Sequence, residues 1–398
     1  MNEYRLFARS AVRTAITNAL GRWSSRYGAP RRILVVKIDH LGDLLLATPA
    51  LRALREAHPG VPIDAVVLPE SRVLLEGSPL VDRVLLYDAP RFRRGEPKGG
   101  PAGAPSDGRA ELLRALAPHR YDWVVELRGD EWTAGALLGA LRPARRFDRG
   151  TVRMGDWLSR RLGRLRGRRP TPPLHEVETN LAIVHDAVSR RPDIPCVEAP
   201  PWPHAPIELE RLAREIAPTL DLTRPYAVVQ LGATWAPRAW RAGRFGAVAA
   251  ALRAAYDAQV VVLGMAEDSP LRDEFLAGGG PSDASFFFGA LPIPAVGALL
   301  RRARLYVGSD GGMAHLAAAC DTPSVVLFGP QNPARFRPWG PRITILHRAV
   351  DCYPCAQFVC VRPADPCVNL NSVEETVKAA MALWNAESPQ SGREIPRP

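Results

Sequence analysis

Short, unbroken apolar runs recur along the chain, each followed by a polar or glycine-containing turn and then by a helical spacing of apolar residues. Residues 32–38 (RILVVKI) have no polar alternation, the pattern of a strand buried on both faces of a parallel sheet. Runs of the same kind at 63–68, 83–87 and 122–127 predict three more strands in the N-terminal half. After residue 222 the pattern resumes at 226–231, 259–263, 305–307, 324–328 and 342–346. Helical periodicity fills the gaps, at 44–57, 242–254, 295–302 and 373–384. Pro49 inside the first of these either kinks the helix or marks where its regular part begins. Strand and helix in alternation predict an α/β chain of doubly wound sheets.

Between the halves, residues 199–206 read APPWPHAP, and the proline density predicts a linker over 199–222. The organisation expected is a leader at 1–29, a first Rossmann-like domain at 30–198 and a second at 223–372. A C-terminal helix at 373–386 and a disordered tail at 387–398 follow. A chain of 398 residues is long enough for two domains, each with its own core.

Charge changes this picture in the first half. The chain carries 52 basic and 41 acidic residues, a net charge of +11, with arginine in large excess over lysine. Arginine-bearing segments fall at 1–29, 91–109 and 160–169. They are either solvated surface, as an arginine-rich genome would produce, or contacts for an anionic acceptor and a membrane surface. The leader, apolar at Val12, Ile16, Ala19, Trp23 and Tyr27 with arginines around it, is either an interfacial helix or a helix packed on its own domain. No run of 18 apolar residues predicts a membrane span, and the N-terminus has no signal-type apolar core. A cytoplasmic protein is expected, and nucleic acid is not expected among its partners.

Candidate chemistry collects where predicted strands end. After 305–307 the chain reads Gly308-Ser309-Asp310-Gly311-Gly312 and turns at once into a helical pattern containing His315. A helix start presents unpaired N–H groups to an anion, and glycines admit close backbone approach. The competing reading makes Asp310 a plain N-cap and His315 a core residue. After 226–231 come Gly232, Thr234, Trp235, Arg238 and Trp240, bringing a hydroxyl and a cation to one strand end, with Trp240 read as core. Glu267 follows 259–263, where a carboxylate suits paired ribose hydroxyls; solvated surface acid is the alternative. Asp43 follows the first strand, a general-base position, with Asp39 as a second carboxylate beside it.

The stretch Asp310-Gly311-Gly312-x-x-His315-Leu316-Ala317-Ala318-Ala319, with Phe328-Gly329-Pro330-Gln331-Asn332-Pro333 after it, resembles the nucleotide-sugar signature of the family 9 glycosyltransferases, the lipopolysaccharide heptosyltransferases and their relatives. Gly311 departs from that signature, which has a hydroxyl residue there. Lys37-Ile38-Asp39-His40-Leu41-Gly42-Asp43, with Pro49-Ala50-Leu51 beyond, resembles the family's opening motif, and the likeness runs from residue 31 to about residue 375. The resemblance implies a GT-B architecture, two Rossmann-like domains facing a cleft, and a metal-independent inverting transfer without a cofactor. It implies Asp43 as catalytic base, Arg238 and Thr234 on the diphosphate, and Glu267, Asp310, Gly311, Gly312 and His315 around the nucleotide sugar. ADP-heptose is the implied donor, and a lipopolysaccharide core or related anionic glycolipid the implied acceptor.

Family members carry lysine where this chain has Arg238, which keeps the charge and adds a fork for phosphate. Glu126-Leu127-Arg128-Gly129-Asp130 also has a family counterpart, read as structural salt bridging rather than acceptor binding, and so has His175-Glu176, without clear chemistry. Cys352, Cys355, Cys360 and Cys367 recur in many members and are read as structural, with room for zinc. An epimerase or phosphorylase on the same scaffold, or a non-catalytic binder of sugar nucleotides or glycolipids, is the alternative to a transferase.

Overall fold

The computed structural model describes residues 29–88, 108–128, 141, 143, 145–148, 174–188, 197–353, 355 and 360–386. The leader up to residue 28, the arginine-rich segments at 91–107 and 160–169, Gly129, Asp130 and the tail from 387 lie outside the described residues. The chain divides into two compact units, Met1–Pro200 with Ala334–Trp339, and Pro201–Pro333 with Gly340–Pro398.

The first unit is built on a five-stranded parallel sheet in the order β3-β2-β1-β4-β5. Its strands are β1 (Ile33–Lys37), β2 (Ile63–Val67), β3 (Arg83–Leu86), β4 (Trp123–Glu126) and β5 (Arg145–Asp148). Strand β1 is central, and Ile33, Leu34, Val35 and Val36 are fully buried. Each such side chain contributes roughly 1.5–3 kcal/mol relative to exposure, which is why the run carries no alternation. The single helix expected over 44–57 is two, α1 (Leu41–Leu45) and α2 (Thr48–Ala57). Pro49 sits in the first turn of α2, where its missing N–H costs nothing. Helix α3 (Arg109–Leu116) leads into β4.

Helix α4 (Glu176–Val184) packs on α2, and the Asn180 side chain donates to Leu46 O (3.1 Å) at the break between α1 and α2. His175 caps α4: its Nδ1 accepts from Val177 N–H (3.2 Å) and its Nε2 donates to Arg337 O (2.8 Å). Burial holds the imidazole's proton affinity below the usual range, so the neutral ring is the folded form. Stability from this cap is therefore present above the ordinary imidazole range of about 6.5 and is lost as pH falls through the lowered value. His175→Asn, which keeps a cap acceptor and cannot take a proton, is expected to flatten the decline of Tm on acidification. An unchanged decline in that variant would assign the acid sensitivity to other groups.

The second unit holds a six-stranded parallel sheet in the order β11-β10-β9-β6-β7-β8. The strands are β6 (Tyr226–Gln230), β7 (Gln259–Gly264), β8 (Ser285–Phe288), β9 (Leu305–Ser309), β10 (Ser324–Phe328) and β11 (Ile343–His347). Its core gathers Val229, Leu231, Trp240, Phe245, Val262 and Val307, so Trp240 is core as expected. The stretch expected as a linker is not one throughout: it contains α5 (Ala205–Ile216), which buries Ala205, Leu209 and Ala213 at four-residue spacing. Around the sheet lie α6 (Ala242–Tyr256), α7 (Leu271–Ala277), α8 (Ile293–Arg302) and α9 (Gly312–Ala319), and α5 packs on α8. A short α10 (Pro333–Phe336) and a C-terminal α11 (Val373–Asn385), packed on α6, complete the chain. Strands β5 and β8 were not expected from the sequence.

In both sheets the strand order reverses beside the first strand, between β1 and β4 and between β6 and β9. Such switch points leave a crevice beyond the carboxyl ends of the strands, where open α/β sheets bind ligands. The expected site residues Asp43, Arg238 and Asp310 all follow strands that flank these two points.

Candidate active site

Beyond β1, Asp39 is held by two cations. Lys37 Nζ lies 2.7 Å from Asp39 Oδ2 and the Arg128 guanidinium donates to Asp39 Oδ1. The Lys37 side chain is 3% exposed and also donates to Leu127 O (3.3 Å). Arg128 also reaches Ile38 O, while its own N–H donates to Glu126 Oε1 (2.7 Å). Salt bridging is thus what Arg128 does, and Asp39 is engaged rather than available to share a proton-transfer role.

Asp43 is different. It lies in the first turn of α1, half-buried, and among the described residues no donor hydrogen-bonds to it or pairs with it. Its proton affinity is raised first by desolvation, then by the negative charges of Asp39 and Glu176, against the opposing pull of Lys37 and His40. A carboxylate with raised proton affinity and open lone pairs is suited to accept a proton at neutral pH.

In the second unit three contacts join β6 and the turn after it to β9 and the residue just beyond. Tyr306 OH donates to Gln230 Oε1 (3.1 Å), Trp240 N–H donates to Ser309 Oγ (3.3 Å), and Arg238 Nη1 lies 3.5 Å from Asp310 Oδ2. Arg238 sits on the 3-10 turn Ala236–Arg238 with its guanidinium 5.3 Å from the centre of the Trp235 ring. Its Nε is buried without a hydrogen-bond partner among the described residues. Asp310 is buried and faces this cation at the mouth of α9; His315 is buried one turn into that helix. The turn at Gly329 closes the same corner, and a Cβ there would meet Val368 and Pro237 O.

Thr234 and Glu267 are exposed, and neither makes a hydrogen bond among the described residues. Sequence reasoning passed over Asp268, next to Glu267: its Oδ2 accepts from Met265 N–H (2.8 Å), and its carboxylate rests against Gly232. Burial and Glu267 raise its proton affinity. Two adjacent acids after a strand were the available signal, but only the turn decides which one faces inward.

The two glycines of this corner behave oppositely. Gly232 has φ +72°, and a Cβ there would lie 2.2 Å from Asp268 Oδ1. Gly232→Ala is therefore expected to lower stability by about 1–3 kcal/mol in denaturant unfolding. Gly311 has an extended backbone (φ 174°) and open space around a built Cβ. Gly311→Ser is expected to leave the unfolding midpoint where it is; a fall comparable to that of Gly232→Ala would contradict the open space.

Cys320, Cys352, Cys355, Cys360 and Cys367 form no disulfide. Among the described residues, no group of three His, Cys, Asp or Glu side chains is arranged to hold a metal ion, and no helix is long and apolar enough to cross a membrane.

Residues 109–364 match the model of glycosyltransferase family 9 (heptosyltransferase). The chain belongs to this family. A curated relative, lipopolysaccharide heptosyltransferase 3 of Escherichia coli, is 25% identical over 304 residues, covering 75% of this chain and 83% of its own. Among solved structures, the family 9 glycosyltransferase of Veillonella parvula has a TM-score of 0.70 at 18% identity, covering 89% of this chain and 97% of that one. E. coli ADP-heptose lps heptosyltransferase II has a TM-score of 0.61 at 20% identity, covering 89% and 98%. The fold is GT-B, with two parallel α/β sheets, and the protein is a heptosyltransferase-like glycosyltransferase of the family that includes the lipopolysaccharide core enzymes.

Proposed function

We propose that this glycosyltransferase moves heptose from ADP-heptose to a lipopolysaccharide core or related anionic glycolipid, with inversion and without a metal ion. The observation that carries the reading is Asp43, a carboxylate of raised proton affinity at the first sheet's switch point, beside an Asp39 already committed to Lys37 and Arg128. The names of the relatives, lipopolysaccharide heptosyltransferases and an ADP-heptose enzyme, support the donor and the acceptor.

An acceptor hydroxyl gives its proton to Asp43 as its oxygen attacks the anomeric carbon. The bond from that carbon to the β-phosphate oxygen breaks, and ADP leaves with the electron pair. Arg238 and the N-terminal N–H groups of α9 at Gly311 and Gly312 hold the diphosphate, where developing negative charge needs donors in place. Asp310, Glu267, Thr234 and His315 serve the nucleotide sugar. The first unit takes the acceptor and the second the donor, at the inner face of the cytoplasmic membrane.

The test is incubation of purified protein with ADP-heptose and a heptose-deficient lipopolysaccharide core, with mass spectrometry of both products. Transfer of one heptosyl unit is expected. Conversion of the sugar nucleotide without acceptor, or no reaction, would overturn the reading. Turnover is expected to persist in EDTA; loss that is restored by a divalent cation would remove the metal-independent part.

A further inference from the structure

The turn that carries Arg238 is short, and its own bonds close it on itself: Arg238 N–H donates to Trp235 O (2.9 Å) and Ala239 N–H to Ala236 O (2.9 Å). Trp240, two residues after Arg238, ties this turn to the rest of the unit. Its backbone N–H donates to Ser309 Oγ (3.3 Å), on the last residue of β9 and directly before Asp310. Its indole Nε1 donates to Asn371 O (3.1 Å), 131 positions further along the chain. Trp240 is 2% exposed, so both bonds are shielded from water.

Asn371 is fully buried between the 3-10 turn Cys367–Leu370 and Ser372, the N-cap of α11. Its side-chain nitrogen donates to Phe328 O (3.1 Å), on the last residue of β10, and to Val368 O (2.9 Å). Both partners are carbonyl oxygens, so they fix which end of the amide faces them. Its backbone oxygen takes a second donor besides Trp240, Arg244 Nη1 (3.4 Å) from the first turn of α6. Val368 and Pro237 O both stand against Gly329, so the turn after β10 also meets the residue before Arg238. The carboxyl ends of β6, β9 and β10 are thus joined through Trp240 and Asn371.

We infer that Asn371 is a positioning residue for the diphosphate corner: its amide grips the end of β10, its backbone oxygen holds the Trp240 indole, and through Trp240 it fixes the turn that carries Arg238 against the end of β9. A guanidinium on an untied turn samples many positions, and a donor to a leaving diphosphate is effective only when already in place. The inference rests on the reading that this corner holds the donor's diphosphate. The tie between Asn371 and Trp240 is itself readable without ligand.

The experiment is calorimetric ADP binding to the full chain in three variants. Asn371→Ala removes both amide donors, and Trp240→Phe keeps an aromatic ring but removes the indole N–H. Tyr226→Phe is the control: it deletes another buried bond of the same unit, Tyr226 OH to Leu299 O (2.7 Å), at the opposite end of β6. Asn371→Ala and Trp240→Phe are each expected to weaken ADP binding by about three- to tenfold, and Tyr226→Phe to leave it unchanged. In an Arg238→Gln background, Asn371→Ala is expected to cost no further affinity, because the contact it positions is already gone. Unchanged affinity in both corner variants, an equal loss in Tyr226→Phe, or a full further loss on top of Arg238→Gln overturns the inference. Should Asn371→Ala fail to fold, Trp240→Phe makes the same comparison in both backgrounds. Hydrogen exchange of the indole N–H, whose NMR signal Trp240→Phe identifies, reads the tie without ligand. It is expected to quicken in Asn371→Ala more than in Tyr226→Phe; an equal or smaller change overturns the inference whatever the binding shows. Quickened exchange together with wild-type ADP binding by Arg238→Gln removes the diphosphate reading and leaves the tie standing.

Discussion

Asp43→Asn is expected to fold normally, to bind ADP as the wild type does, and to turn over at least about a hundredfold more slowly. General-base assistance is worth about 10²–10⁴-fold, or roughly 3–5 kcal/mol of barrier. Asp39 is not available to substitute, since it is bound on both oxygens, by Lys37 and by Arg128. The pH profile gives an independent sign. Burial first, and then Asp39 and Glu176, raise the proton affinity of Asp43, so with Asp43 as the base the acid limb of kcat is expected above the ordinary aspartate range. That limb is expected to vanish in the asparagine variant. Stability should move the other way. A carboxyl whose affinity for protons is raised by folding contributes stability below its unfolded value and loses it as pH rises through the folded one. At neutral pH the uncharged asparagine is therefore expected to match or exceed the wild type in Tm, as with other groups held in an unfavourable state for function. Initial rates of ADP release with acceptor, calorimetric ADP binding and a thermal melt together check this. Near-normal turnover would remove Asp43 from the mechanism.

Much of this architecture is legible in the sequence because parallel strands buried on both faces leave unbroken apolar runs. β1, β6 and β10 show it most plainly, with residues such as Val36, Val228 and Val326 wholly buried. The elements that escaped reading are those whose stability comes from context. β5 is Arg145-Arg146-Phe147-Asp148, an edge strand whose charged residues hide the apolar signal. Its Arg145 lies over Trp123 and Phe147, a contact no local pattern announces. β8 is also an edge strand, and α5 was masked by the prolines before it, although Leu209 and Ala213 continue a helical stripe. The site divides in the same way. Strand ends and glycines point to Asp43, Arg238 and Asp310, which follow the strands flanking the two switch points. Which acid of Glu267-Asp268 turns inward, that Asp39 is consumed by Arg128, and that Arg335 returns to Glu176 all depend on contacts between residues far apart in the chain.

Arg238→Gln is expected to lose both function and stability, and the two losses can be separated. The guanidinium stands beside buried Asp310 and over Trp235, with part of its surface still open, so it can meet a phosphate and hold its carboxylate partner together. Removing a preorganised donor from a leaving-group site typically costs on the order of 10²–10³ in kcat, and ADP binding should weaken with it. Arg238→Lys keeps the charge but loses the fork, so it is expected to recover only part of the rate, even though lysine is usual in this family. The stability loss has another origin. Without Arg238 the Asp310 carboxylate, 3% exposed, loses its facing cation, at a cost of about 1–3 kcal/mol in denaturant unfolding. Adding Asp310→Asn to Arg238→Gln removes that charge and is expected to restore the unfolding midpoint without restoring kcat. Recovery of both together would mean that Arg238 acts only by supporting the fold around β9. Recovery of neither would mean that the Arg238–Asp310 pair is not what holds this corner.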